Sequence, residues 1–337
     1  HYLAKGTDLP SGLILANACM PRGTRWPFPQ DTLTRSRPLN DSRSYFCQTN
    51  LQAKPSICPI MPTVSIVIVC MNNLQNLRRC LDSIQTHTSV SYETLVVAYL
   101  FTRDNLAALR VEYPWVAVIE SHELRGFAEN INLALRQTTG DYCFVLNDDT
   151  YFDVPVIDHL VAAFAQLPDT TAVVSPVTYT RNGNVQHCGR PKYSLGTLLL
   201  DFLRLGRFYR SKSVYTGRTG LFKTYNLYGA AFMITRSVFE KVGWFDERYF
   251  FCPEDIALST KLNREGYSCY VASEVGLTHL GGESRSPILC ATVPAAFLGD
   301  VIFYEENYFG GGAAVRILNA LFRSLYFVYW SAVSAFT

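Results

Sequence analysis

Four short stretches carry side chains that could do chemistry. In the first, Asn147-Asp148-Asp149 follows the apolar run Tyr142-Cys143-Phe144-Val145-Leu146. Adjacent carboxylates at the end of a buried strand suit a divalent cation and, through it, a diphosphate; the same residues also suit a solvated turn. The second is Glu254-Asp255, directly after Pro253. Acids at a helix start cap free N–H groups and favour the dipole. A carboxylate aimed into a crevice can instead take the proton from an attacking hydroxyl. The third is His279 in Thr278-His279-Leu280-Gly281-Gly282, either a hydrogen-bonded structural histidine or one whose glycine neighbours let backbone approach a phosphate. The fourth, Arg125-Gly126-Phe127-Ala128-Glu129-Asn130-Ile131-Asn132, opens a helix whose first N–H groups could receive an anion.

The surrounding pattern says what must position them. Val64 to Cys70 is a continuous β-branched run, as expected of a strand buried on both faces. Leu77, Leu81 and Ile84 give Leu74–Ile84 helical spacing, and Glu93–Leu100 reads as a second strand. A helix at Arg103–Glu112, a strand at Trp115–Ile119, a helix at Ala128–Gln137 closed by Gly140 and the strand before Asn147 follow. Downstream, Tyr228–Thr235 reads as a strand, and Pro253–Glu265 as a helix stopped by Gly266. Alternating strands and helices imply an α/β fold with a mostly parallel sheet. In such sheets the ligand crevice lies beyond the carboxyl ends of the strands, where Asn147-Asp148-Asp149 falls.

Composition narrows the function classes. A formal charge of +2 over 337 residues gives nucleic-acid binding no electrostatic support. Hydrophobic residues at 48% and charged residues at 17% describe a globular chain. The ten cysteines form no C-x-x-C pair, which excludes zinc-ribbon and thioredoxin-like chemistry and favours reduced thiols in a cytoplasmic protein. G-x-G-x-x-G and P-loop motifs are absent. No signal peptide is visible, and the first residue is His1, consistent with a missing N-terminus. The apolar, aromatic stretch Ala313–Thr337, charged only at Arg316 and Arg323, reads either as an interfacial helix at the inner face of a membrane or as a core-packing helix.

The ordered set VSIVIVCMNNLQNLRRCLDSI, RGFAENINLALRQTTGDYCFVLNDDT, GAAFMITRSVFEKVGWFDERYFFCPEDIALSTKLNREGY and THLGG resembles family 2 glycosyltransferases, in particular the rhamnosyltransferase-like branch. The resemblance covers roughly Pro62 to Gly282 and implies a GT-A fold, a Rossmann-like sheet flanked by helices. It implies a nucleoside-diphosphate sugar donor, a glycan or lipid-linked acceptor, and transfer with inversion in glycan, polysaccharide or glycolipid synthesis. Asn147-Asp148-Asp149 stands at the family's DxD-type motif, so Asp149 and His279 would hold Mg²⁺ or Mn²⁺. Asp255 matches the catalytic base, paired with Glu254. Asn72, Asn73, Gly126, Phe127, Asn132, Asn147 and Asp148 would line the donor site.

The chain departs from the family's pattern in places. Ala98 stands where relatives carry an Asp that contacts the base or ribose, a contact that Asp104 or the Asn72-Asn73 loop would have to replace. Cys70-Met71 replaces Thr-Tyr, and Ala257 and Lys261 replace an Asp and an Arg. Two alternatives stay open: a catalytically silent sugar-nucleotide-binding protein, motivated by Ala98, and a sugar-phosphate nucleotidyltransferase, which lacks its Gly-rich basic N-terminal loop here. The expected organisation is an irregular extension over 1–60, a GT-A domain over 61–285 and a C-terminal helical segment over 286–337, with membrane-surface contact as one reading. Acceptor residues are expected in Asn182–Tyr225, which carries Arg204, Arg207, Arg210, Lys212 and Arg218, and after Gly282.

Overall fold

The computed structural model describes residues 63–187, 189–192, 217–227, 229–281 and 289–309, with a few single positions beyond. The extension 1–60, Gly282, and Arg204, Arg207, Arg210 and Lys212 lie outside the described residues.

The β-branched run forms β1 (Val64–Met71), the centre of a parallel block. It pairs on one side with β2 (Tyr92–Tyr99), which pairs in turn with β3 (Ala117–Ser121), and on the other side with β4 (Tyr142–Asn147). Between them run α1 (Leu74–His87), α2 (Arg103–Glu112) and α3 (Phe127–Leu135). Asn73 starts α1 by accepting the Asn76 N–H at 3.2 Å, and Leu74, Leu77, Leu81 and Ile84 form its buried stripe.

After β4 come β5 (Thr150–Tyr151), α4 (Val156–Phe164), β6 (Thr171–Tyr179), β7 (Val185–His187), β8 (Leu221–Thr224), β9 (Ala231–Thr235), α5 (Arg236–Lys241), α6 (Glu254–Arg264), β10 (Ser268–His279) and α7 (Leu289–Tyr304). A π-helical turn, Glu305–Phe309, follows α7. The sheet order is β3-β2-β1-β4-β9-β6-β10-β5, with β7 on β6 and β8 on β10. Strand β9 runs antiparallel to both β4 and β6, while β6 and β10 are parallel. Six strands therefore point one way, and β1, β2, β3, β4, β6 and β10 all end at the same edge.

Burial on both faces explains the composition of β1. Val64, Ile66, Ile68 and Cys70 join the core under α1, α2 and α4, whereas Val67 joins the one under α3, α5 and α6. Several expected bounds shift: β3 begins at Ala117 rather than Trp115, α3 ends at Leu135 short of Gly140, and β9 begins at Ala231 rather than Tyr228. The stop after α6 stands as expected. Gly266 takes φ 87°, with its N–H on Asn263 O at 3.3 Å and the Tyr267 N–H on Leu262 O at 3.0 Å. Cys70, Cys80, Cys143, Cys252 and Cys269 are free thiols. Among the described residues no helix is long and apolar enough to cross a membrane.

Candidate active site at the carboxyl edge of the sheet

The acidic turn after β4 is held against the end of β10. His279 pairs with Thr150 across β10 and β5, and Leu280 N–H donates to Asp149 O at 2.9 Å. This register brings His279 Nε2 to 3.2 Å from Asp149 Oδ1, with both side chains about 5% exposed. Gly281 N–H donates to Asp149 Oδ2 at 3.1 Å. The other ring nitrogen, Nδ1, donates to Gln186 Oε1 at 2.8 Å, so β7 sets the ring's orientation. Gln186 carried no signal in the sequence, because its role arises only when β7 folds back beside β10.

Asp148 is buried beside the end of β1. Burial pushes the Cys70 thiol well up, and the charge and hydrogen bond of Asp148 push it further. Asn147 continues the edge through its backbone, with its N–H donating to Ala230 O at 3.0 Å. The neighbouring Gly229 N–H donates to Asp255 Oδ2 at 3.0 Å, and Asp255 Oδ1 accepts from Ile256 N–H at 2.8 Å. Ser259 on the next turn of α6 donates to Asp255 O at 2.7 Å and accepts from Leu227 N–H at 3.0 Å. A short path of hydrogen-bonded backbone thus connects the Asp149–His279 pair to Asp255.

Glu254 and Asp255 share the start of α6 in different environments. Burial pushes the Glu254 carboxyl up to about 8, and the charge of Asp255 adds to the shift. Its Oε2 is buried with no hydrogen-bond partner, as suits a protonated acid better than a carboxylate. Burial also raises Asp255, but the Gly229 and Ile256 N–H groups and the charge of Arg190 oppose that rise. Of the two, Asp255 is the one equipped to hold the negative charge.

Other expected donor-site residues have structural duties. Asn72, at φ 51°, accepts from Thr102 N–H and Asn105 Nδ2 at 2.9 Å each, which ties the end of β1 to the start of α2 near Asp104. Asn73 caps α1. At Gly126 the first helical N–H, that of Phe127, donates to Phe250 O at 2.9 Å. The Phe127 ring packs edge-on to Phe245 at 6.1 Å. Asn132 is held by the turn before α6. It is fully buried, its Nδ2 donates to Phe245 O and Glu247 Oε1 at 2.9 Å, and its Oδ1 accepts from Phe245 N–H at 3.3 Å. These bonds fix the turn before α6.

The departures from the family's pattern also find places. Ala98 is buried between Cys70 and Glu120 in register. Ala257 and Lys261 lie across α6 from Asp255 and Ser259 and line a cavity of about 580 Å³ against the turn Val242–Tyr249. The Lys261 ammonium donates to Val242 O there. Arg218 is exposed and stacks over Phe222 at 5.7 Å.

Two outcomes follow from this geometry. Asn132→Leu leaves the Phe245 N–H and C=O without their partner, and each costs roughly 1–3 kcal/mol when buried. Urea unfolding is expected to show that loss while affinity for a nucleoside diphosphate stays unchanged; lost affinity at full stability would return Asn132 to the donor site. Glu254 has its folded-state pKa above its ordinary value of 4.5, so the folded state holds the extra proton. Its contribution to stability therefore falls as pH rises from about 5 to about 8. Glu254→Gln should match the wild type at pH 5 and exceed it above pH 8, and equal pH slopes for the two proteins would contradict the shift.

Comparison with known proteins places this geometry in a family. The model for glycosyl transferase family 2 matches residues 65–243. The O-antigen biosynthesis protein RfbC of Myxococcus xanthus is 30% identical over 230 residues, covering 66% of this chain and 18% of that protein. An N-acetylglucosaminyl-diphospho-decaprenol L-rhamnosyltransferase of Mycobacterium tuberculosis is 26% identical over 235 residues, covering 64% of this chain and 75% of that protein. Two solved structures share the fold. GalNAc-T7 with UDP, GalNAc and Mn²⁺ has a TM-score of 0.53 at 17% identity, covering 80% of this chain and 55% of its own. The mannosyltransferase PcManGT of Pyrobaculum calidifontis with GDP-Man and Mn²⁺ has a TM-score of 0.50 at 20% identity, covering 74% of this chain and 64% of its own. Both are GT-A glycosyltransferases, so the sheet described above is a GT-A fold. With more than half of its length matched by the family model, the chain belongs to glycosyl transferase family 2.

Proposed function

We propose that the protein transfers a sugar, with inversion, from a nucleoside-diphosphate sugar to a hydroxyl of a glycan or lipid-linked acceptor. One observation carries this reading: Asp255 and the Asp149–His279 pair share one sheet edge, linked through Gly229, Ala230 and Asn147. A single displacement needs a base on the acceptor side and an anchor for the leaving diphosphate. Asp255, anchored by two backbone N–H groups, takes the acceptor proton. Glu254 keeps its own proton and leaves Asp255 as the charged member of the pair.

Asp149 and His279 would hold the divalent ion, Mg²⁺ or Mn²⁺. Their chemistry fits: a carboxylate oxygen and an imidazole nitrogen face each other at 3.2 Å. Two protein donors suit an ion that completes its shell with water and donor phosphates. A divalent ion held there would neutralise charge on the departing nucleoside diphosphate. Gln186 would support it by keeping His279 Nδ1 protonated and Nε2 turned toward Asp149.

The relatives' names support the acceptor class. One takes part in O-antigen biosynthesis, and the other is named for a diphospho-decaprenol substrate. A polyprenyl-diphosphate-linked glycan fits both, and it would bring the protein to a membrane surface. The helical positions Ile317 and Val328, 62% and 64% exposed, provide apolar side chains for that contact.

Nucleoside diphosphate release from a panel of nucleotide sugars, with Mn²⁺ and polyprenyl-linked acceptors, tests the reading. Asp255→Asn should lower release by roughly 10²–10⁴-fold while donor binding persists. Undiminished release would remove Asp255 as the base, and donor binding without any release by the wild type would favour a silent binder. Gln186→Leu should weaken Mn²⁺ binding roughly 10–100-fold in a calorimetric titration with nucleoside diphosphate present. Unchanged Mn²⁺ affinity would separate His279 from the metal.

A further inference from the structure

The residues just before Glu254 are gripped from two sides. On one side lies Gly126, where a Cβ would come within 2.6 Å of both Cα and O of Phe250. The Phe127 N–H donates to the same Phe250 carbonyl at 2.9 Å. On the other side lies Gly299, buried in α7, where a Cβ would fall 2.0 Å from Cys252 O and 3.1 Å from Pro253 Cδ. No side chain fits at either place. Between the two glycines, Cys252 is held at φ 50°, a conformation that a non-glycine residue keeps only when its surroundings enforce it.

Helix α7 is fastened at this position by its own contacts. Phe303 and Tyr304 form a small buried cluster with Tyr249, against which Ile256 and Ala257 of α6 pack. Arg248 bridges Asp246 to Glu306 on the π-helical turn, and Arg264 at the far end of α6 donates to Asn307 O at 3.4 Å. The segment from Arg248 to Pro253 thus lies between α3 and α7 and leads directly into the first turn of α6.

We propose that α7 belongs to the catalytic framework, with Gly299 and Gly126 as positioning residues that clamp Phe250–Pro253 and so aim Asp255 at Gly229. This inference rests on the assignment of Asp255 as the base. It also extends the working unit beyond the family match, which ends at residue 243, to a helix that the match does not include. The physical reason is leverage. Pro253 precedes the helix, so any displacement of Cys252 moves the start of α6, and with it the Asp255 carboxylate, as a unit. A shift of about 1 Å in a reacting group can cost about a hundredfold in rate.

Gly299→Ala tests the proposal in the full chain. Turnover is expected to fall roughly ten- to hundredfold. Donor affinity should stay within about twofold, because Asp149 and His279 are positioned by β5, β7 and β10. Hydrogen exchange of the Gly229 amide, which donates to Asp255, should accelerate. Because the added methyl could prevent folding, Phe303→Leu provides a second variant that loosens α7 without inserting an atom at the clamp; a smaller change in the same direction is expected. Unchanged Gly229 exchange in both variants would overturn the clamp. Faster exchange with undiminished turnover would leave the clamp standing and overturn the assignment of Asp255 as the base.

Discussion

The site depends on one contact in the sheet, the antiparallel pairing of β9 with β4. It ends with the Asn147 N–H donating to Ala230 O at 3.0 Å. On one side of that bond the chain turns into Asp148 and Asp149. On the other it comes from Gly229, whose N–H holds Asp255. Without a reversed strand at this position, Asp255 on α6 and the acidic turn after β4 would have no common support. The parallel strands around it supply the edge, and β10 completes it by bringing His279 against Asp149.

Burial then gives four carboxyl groups along that edge different duties. Asp148 faces inward to Cys70, and Asp149 is bound to His279 and to the Gly281 amide. Glu254 is pushed toward its neutral form, whereas Asp255 has backbone donors that oppose the effect of burial. A single displacement at a sugar carbon calls for such a division: an anchor for the diphosphate, a charged base and no competing charge beside it.

Much of the fold was legible in the sequence because its strongest signals are local. The β-branched run of β1, the helical spacing of α1 and the Pro–Gly bracket around α6 state their own structures. Strand β6 was not legible, although Ala172–Val174 is apolar, because Ser175 and Pro176 interrupt it. The structure accommodates that proline opposite Ala272, where the register between β6 and β10 shifts at a bulge. The two-residue β5 and the reversed direction of β9 are consequences of tertiary pairing alone. Residue type and order singled out the acidic turn, Asp255 and His279, which the structure brings to one sheet edge. Gln186 did not, since it acts through a hairpin that returns from a distance. The burial of Asn132 was not legible either, since it arises only when the turn before α6 packs over α3.

The central claim is that a donor diphosphate is anchored where Asp149 meets His279, on the edge that also carries Asp255. A crystal of the protein with a nucleoside diphosphate and Mn²⁺, with the ion located by its anomalous scattering, tests this directly. The account predicts the ion held by Asp149 and His279, with the diphosphate beside it on the edge that carries Asp255. An ion and diphosphate bound away from Asp149 and His279 would contradict it.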